Sequence, residues 1–172
     1  MKIGILISGS GSNMIKLIES CQNSKNAFIE IVISNNPDAK GIEYAKLKNI
    51  KTKVVDHKEF SEREDFDNKV HEVLLENNVD FLCNAGFMRI HGEKFVEKWF
   101  NKHLNIHPSL LPSFKGLNTH ERAIKSGVKF AGCTVHLVRS GVDEGPIIGQ
   151  AITSIDINAV SYTHLTLPTN GT

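Results

Sequence analysis

A chain of 172 residues, 40% hydrophobic and 23% charged, is long enough for one domain with its own core and too short for more than a small appendage. Twenty basic residues against nineteen acidic ones leave a net charge of +1, without the basic excess that a dedicated nucleic-acid binder or an electrostatic membrane clamp would carry. No apolar run approaches the roughly 18 residues of a spanning helix, and three scattered cysteines (Cys21, Cys83, Cys133) without a CxxC exclude a disulfide framework or a Cys-rich zinc site and suit a reducing, cytoplasmic setting.

Lys2 to Ser8 (KIGILIS) reads as a strand buried on both faces, ending in GSGSN. The early apolar run stops too soon for a secretory signal. Asn13 to about Gln22 has helical spacing, with Met14, Leu17, Ile18 and Cys21 on one face. Phe28–Ile33 is a second strand, Gly41–Lys48 a short helix and Thr52–Val55 a short strand. Ser61 with Glu64 makes a capping-box pattern opening a helix to about Asn77. Phe81–Ala85 is a fourth strand, Glu93–Phe100 a helix and His103–His107 a fifth strand. Glu121–Ser126 is a short helix closed by Gly127, and Ala131–Val138 and Ile147–Ile155 are two further strands. The alternation predicts an α/β fold: a Rossmann-like, doubly wound, mostly parallel sheet, with ligands beyond the carboxyl ends of its strands. Loops at 8–13, 85–91, 107–120 and 139–146 are the candidates for that rim. Residues 1–159 are expected to form the domain. Residues 160–172, uncharged and aperiodic, read as an anomalous tail, either frayed or non-native.

Four features carry chemistry. Gly11, Ser12 and Asn13 open a helix whose uncapped N–H groups and dipole suit a phosphate, although a structural Gly/Ser turn is the plainer alternative. A dinucleotide is disfavoured: Met14 stands at the third glycine position, and no acidic residue closes the second strand. Asn105 and His107 share strand parity, and Pro108 then turns the chain out. An amide donor beside an imidazole can stabilise an oxyanion and move protons, though such a pair at a strand end can also be purely structural. Asp143, in a Gly-flanked loop, is either an Asx turn or the carboxylate that orients the imidazole and favours its charged form. His136, mid-strand, is either a satisfied core histidine or a support. Ala85–Ile90 (AGFMRI), with Arg63 nearby on the capped helix, suits a flat heterocycle with a carboxylate.

LISGSGSN, AGFMRI, NIHPSLLP followed by KGLNTH, and GCTVHLV…VDEGPII occur together and in order from Lys2 to about Ala151. In this the chain resembles the phosphoribosylglycinamide formyltransferase family. The resemblance implies transfer of a formyl group from 10-formyltetrahydrofolate to the amine of glycinamide ribonucleotide in purine biosynthesis, with no metal, nucleic acid or membrane involved. Asn105 would hold the oxyanion. His107, kept charged by Asp143, would donate to it or polarise it. Asp143, through water, would pass the amine proton to the folate nitrogen, and His136 would support the arrangement. Gly11, Ser12 and Asn13 would bind the substrate phosphate. Arg63, Phe87, Met88, Arg89, Ile90 and Asn105 would hold the folate. The family also implies three departures: Asn118 in place of His, His91 in place of an apolar residue, and a C-terminal helix replaced here by VSYTHLTLPTNGT. A deformylase-like hydrolase and a folate-binding protein without turnover are the competing readings.

Overall fold

The computed structural model describes residues 1–156. The boundary expected at 159 and the tail beyond it lie outside the described residues. The chain divides into two compact units, Met1–Asn105 and the stretch from Ile106 onward.

The first unit runs β1 (Lys2–Ile7), α1 (Ser12–Cys21), β2 (Phe28–Ser34), α2 (Gly41–Leu47), β3 (Lys51–Val54), a 3-10 turn at His57–Glu59, α3 (Arg63–Glu76), β4 (Phe81–Asn84) and α4 (Glu93–Lys98), then enters β5 (His103–His107). Its strands are parallel in the order β3-β2-β1-β4-β5. The period of two along each strand sorts side chains to opposite faces. Ile3, Ile5 and Ile7 join Val32 and Cys83 against Met14, Ile18, Ile42 and Ala45 of α1 and α2. Leu6 joins Ile31, Ile33 and Leu82 against α3 and α4, where Phe66, Val70, Leu74, Phe95 and Trp99 are buried. Gly4 lies on this second face: a Cβ there would stand 2.7 Å from Leu74 Cδ2, so its lack of a side chain lets α3 sit directly on β1. The chain turns back between β1 and β4, which sets the switch-point crevice beside the loops that follow these two strands.

The expected capping box does not form. Arg63 is the first helical residue and Glu62 the N-cap, so Ser61 stands one position too early for its hydroxyl to cap the helix. The 3-10 turn was not expected; Asp56 caps it by accepting the Lys58 N–H at 3.0 Å.

The second unit holds α5 (Thr119–Lys125), β6 (Phe130–Leu137) and β7 (Ile147–Ser154). The strands β6 and β7 are antiparallel, from Phe130 opposite Ser154 to His136 opposite Ile147, with an irregularity between Val135 and His136. A Cβ at Gly132 would collide with the Ala151 carbonyl, so this pair needs glycine there. α5 starts two residues before the expected position. Its N-cap is Asn118 at φ 54°, a left-handed conformation that Asn tolerates better than most residues.

Candidate active site

The loop after β1 is built for close backbone approach. Gly11 is the N-cap of α1 at φ 74°, and no side chain caps that helix. A Cβ at Gly11 would stand 2.9 Å from Met14 Cε and 3.2 Å from Gly41 Cα. The loop is tied to α2 where the Gly41 N–H donates to Gly9 O at 3.1 Å. Residues 8–13, with Ala85, Gly86 and Met88, line a recess of about 250 Å³. The first-turn N–H groups and the positive dipole end of α1 belong to this stretch, which gives it the makings of an anion site. Met14, at the third glycine position, is fully buried beneath the loop.

Ser8 was missed in the sequence. Its hydroxyl donates to Asn35 Oδ1 at 2.6 Å and accepts the Met88 N–H at 2.8 Å. Its N–H donates to Gly86 O at 3.1 Å, and its carbonyl accepts from Asn36 Nδ2 at 3.3 Å. The two asparagines that end β2, where a dinucleotide site would hold an acid, thus hold the glycine loop. No motif marks Ser8, because its partners lie 27 and 80 residues away.

The segment after β4 alternates. Met88 and Ile90 are 68% and 57% exposed. The Phe87 ring is buried, stacked 6.4 Å from Phe66 and 5.0 Å from His91, so its side chain is core and only its backbone is left for the rim. Arg89 is half-buried with its guanidinium 5.2 Å from the Phe66 ring. Arg63 opens α3 and is exposed.

Asn105 and His107 stand two residues apart on β5, with Asn105 in register with Asn84. His107 is buried. Its Nε2 faces the Phe114 carbonyl at 3.0 Å, and its Nδ1 lies 3.3 Å from Asp143 Oδ2. Both neighbours are acceptors only, so the ring satisfies both when it carries two hydrogens and a positive charge. Asp143, at φ 55°, also accepts the Gly116 N–H at 2.8 Å. Its other oxygen lies 3.6 Å from His136 Nε2, an ion-pair distance, while His136 Nδ1 sits 3.0 Å from Leu137 O. The β6 irregularity falls at His136, a local re-aiming of the kind bulges provide beside functional sites. Gly145 closes the loop under a tight constraint: a Cβ there would collide with the Leu137 carbonyl.

Burial pushes the Asp143 carboxyl up, but His136, the Gly116 N–H and the charge of His107 together bring it below its ordinary value. A carboxyl depressed in the folded state stabilises the fold above its unfolded pKa of about 3.9, and that stability is lost as pH falls through the folded value. The stability difference between the wild type and Asp143→Asn should therefore shrink as pH drops below about 4, measured as urea midpoints from neutral to acid. A difference that stays constant through that range would contradict the depressed carboxyl.

The fold is that of an α/β protein with a glycine loop at the start of its first helix, and its second unit brings His107 and Asp143 face to face. The chain belongs to the formyl transferase family, which matches residues 1–167. The phosphoribosylglycinamide formyltransferase of Haemophilus influenzae is 43% identical over 151 residues, covering 87% of this chain and 71% of that protein. The Escherichia coli protein of the same name is 40% identical over 153 residues, covering 88% and 72%. The human trifunctional purine biosynthetic protein adenosine-3 is 49% identical over 150 residues, covering 87% of this chain but only 15% of that protein's length. The crystal structure of phosphoribosylglycinamide formyltransferase from Anaplasma phagocytophilum aligns with a TM-score of 0.86 at 46% identity, covering 94% of this chain and 76% of that one. Among the described residues, no helix is long and apolar enough to cross a membrane, and no group of three or more His, Cys, Asp or Glu side chains could hold a metal ion.

Proposed function

We propose that this chain transfers the formyl group of 10-formyltetrahydrofolate to the primary amine of glycinamide ribonucleotide. The observation that carries the reading is His107, buried with acceptors on both ring nitrogens and set two residues beyond Asn105. The amine attacks the formyl carbon and forms a C–N bond. The carbonyl becomes an oxyanion, which the Asn105 amide stabilises by hydrogen bonding and the His107 imidazolium by charge. The C–N10 bond then breaks, and the proton lost by the amine reaches N10. Asp143, ionised at neutral pH because its carboxyl is held below its ordinary value, orients the water that carries this proton.

Gly11, Ser12 and Asn13 take the nucleotide phosphate. Arg63, Met88, Arg89, Ile90 and the backbone at Phe87 take the folate, and Asn105 meets its formyl group. His136 holds the second oxygen of Asp143. The ligands are small molecules; the balanced charge supports neither a nucleic acid nor a membrane as partner. Three free cysteines fit reaction in the cytoplasm.

The test is a spectrophotometric assay of folate release from 10-formyltetrahydrofolate, with and without glycinamide ribonucleotide. Release that requires the nucleotide is the expected result. Equal release without it would replace the transferase with a hydrolase.

A further inference from the structure

We propose that Asp67 and His91 form a buried clamp that positions the 86–90 segment and so sets the affinity of the site for its reduced folate. The inference rests on the assignment of that segment to folate.

Asp67 lies on the inward side of α3, on a helix that otherwise buries Phe66, Val70, Val73 and Leu74. An apolar side chain would serve packing there at no desolvation cost. Instead a carboxylate is buried, and both its oxygens are spent on the chain that follows the segment. Oδ1 meets His91 Nδ1 at 2.7 Å, and Oδ2 accepts the Gly92 N–H at 2.7 Å. His91 Nε2 is buried and has no hydrogen-bond partner among the described residues. The tautomer with hydrogen on Nδ1 alone fits this arrangement, because it leaves no N–H orphaned.

The imidazole also completes a pile of rings. It lies between Phe95, 4.1 Å away at 11°, and Phe87, 5.0 Å away at 12°; Phe87 in turn stacks on Phe66 at 13°. The pile runs from α3 through the segment to α4. Phe87 and His91 are its two loop members, and they are the inward residues on either side of 88–90. Met88 and Ile90 point outward between them, and the Met88 N–H is held by Ser8. The arch is therefore pinned at both ends, and its polar pin is one hydrogen bond to a buried carboxylate, joining residues 24 positions apart. An apolar residue at 91 could keep the stack but not the orientation that Asp67 imposes on His91 and Gly92 together.

The test uses the full chain with His91→Phe, which keeps a stacked ring and loses the bond, Asp67→Asn, and the two combined. KM for each substrate, kcat, the calorimetric Kd for tetrahydrofolate and the thermal midpoint are measured. Each single variant should raise the folate KM and the tetrahydrofolate Kd about tenfold, the size of one charge-assisted hydrogen bond. The nucleotide KM and kcat should stay within about twofold, and the double variant should add little to either single one. A lower thermal midpoint with both KM values and the Kd unchanged would overturn the clamp and leave the transferase reading intact. A wild-type chain that binds no tetrahydrofolate and shows no turnover would overturn both.

Discussion

Replacing His107 by Asn should lower kcat/KM for formyl transfer by about three orders of magnitude, within the range for a positioned acid–base or charge-stabilising group. Adding Asp143→Ala to that variant should cost little more than either change alone. The geometry is the reason. Asp143 Oδ2 is shared between His107 Nδ1 and the Gly116 N–H, while His107 Nε2 is held by the Phe114 carbonyl. Removing the carboxylate leaves a buried imidazolium beside acceptors without its counter-charge. Removing the imidazole leaves Oδ2 of the carboxylate with only the Gly116 N–H, so Asp143 loses the contact that orients it toward the reacting centre. Each loss disables the other group, so the effects cannot add. A double-mutant cycle on kcat/KM decides the matter, and simple additivity would show that the two residues act independently.

The second large effect is expected at the helix start. Ser12 is the first residue of α1, follows the left-handed Gly11 and is exposed beside the recess of residues 8–13. Ser12→Asp places a carboxylate where a phosphate would bind. Two like charges about 4 Å apart repel by about 4 kcal/mol at an effective dielectric of 20, and solvent in an open recess reduces that to about 2.7 kcal/mol, or a hundredfold in KM for the nucleotide. The folate KM should move by less than about threefold. Unfolding cannot mimic this result, because an acidic residue in the first turn favours the helix dipole. Equal weakening of both substrates would remove the phosphate assignment.

The parts of the fold that periodicity controls were legible in the sequence. β1 was readable because nearly every residue is apolar, and both of its faces are indeed covered. Asn105 and His107 were legible as a pair because parity on a strand is arithmetic. The antiparallel pairing of β7 was not, since the same alternation serves either direction. The inward turn of the Phe87 ring was not legible for a related reason: a loop has no fixed period, so nothing told it from the outward Met88 and Ile90 that follow. Ser8, Asp67 and the Phe114 carbonyl escaped notice because each acts through a partner that only the folded chain supplies. His91 was visible as a departure from the family pattern; its meaning required knowing that a carboxylate waits on α3.

Tracing the formyl carbon tests the central claim most directly. With 10-formyltetrahydrofolate labelled at the formyl carbon and glycinamide ribonucleotide in excess, the label should appear in the N-formyl product of the nucleotide, one equivalent for each tetrahydrofolate released. Label recovered as formate, with the nucleotide unchanged, would contradict the account and show that water, not the amine, takes the group.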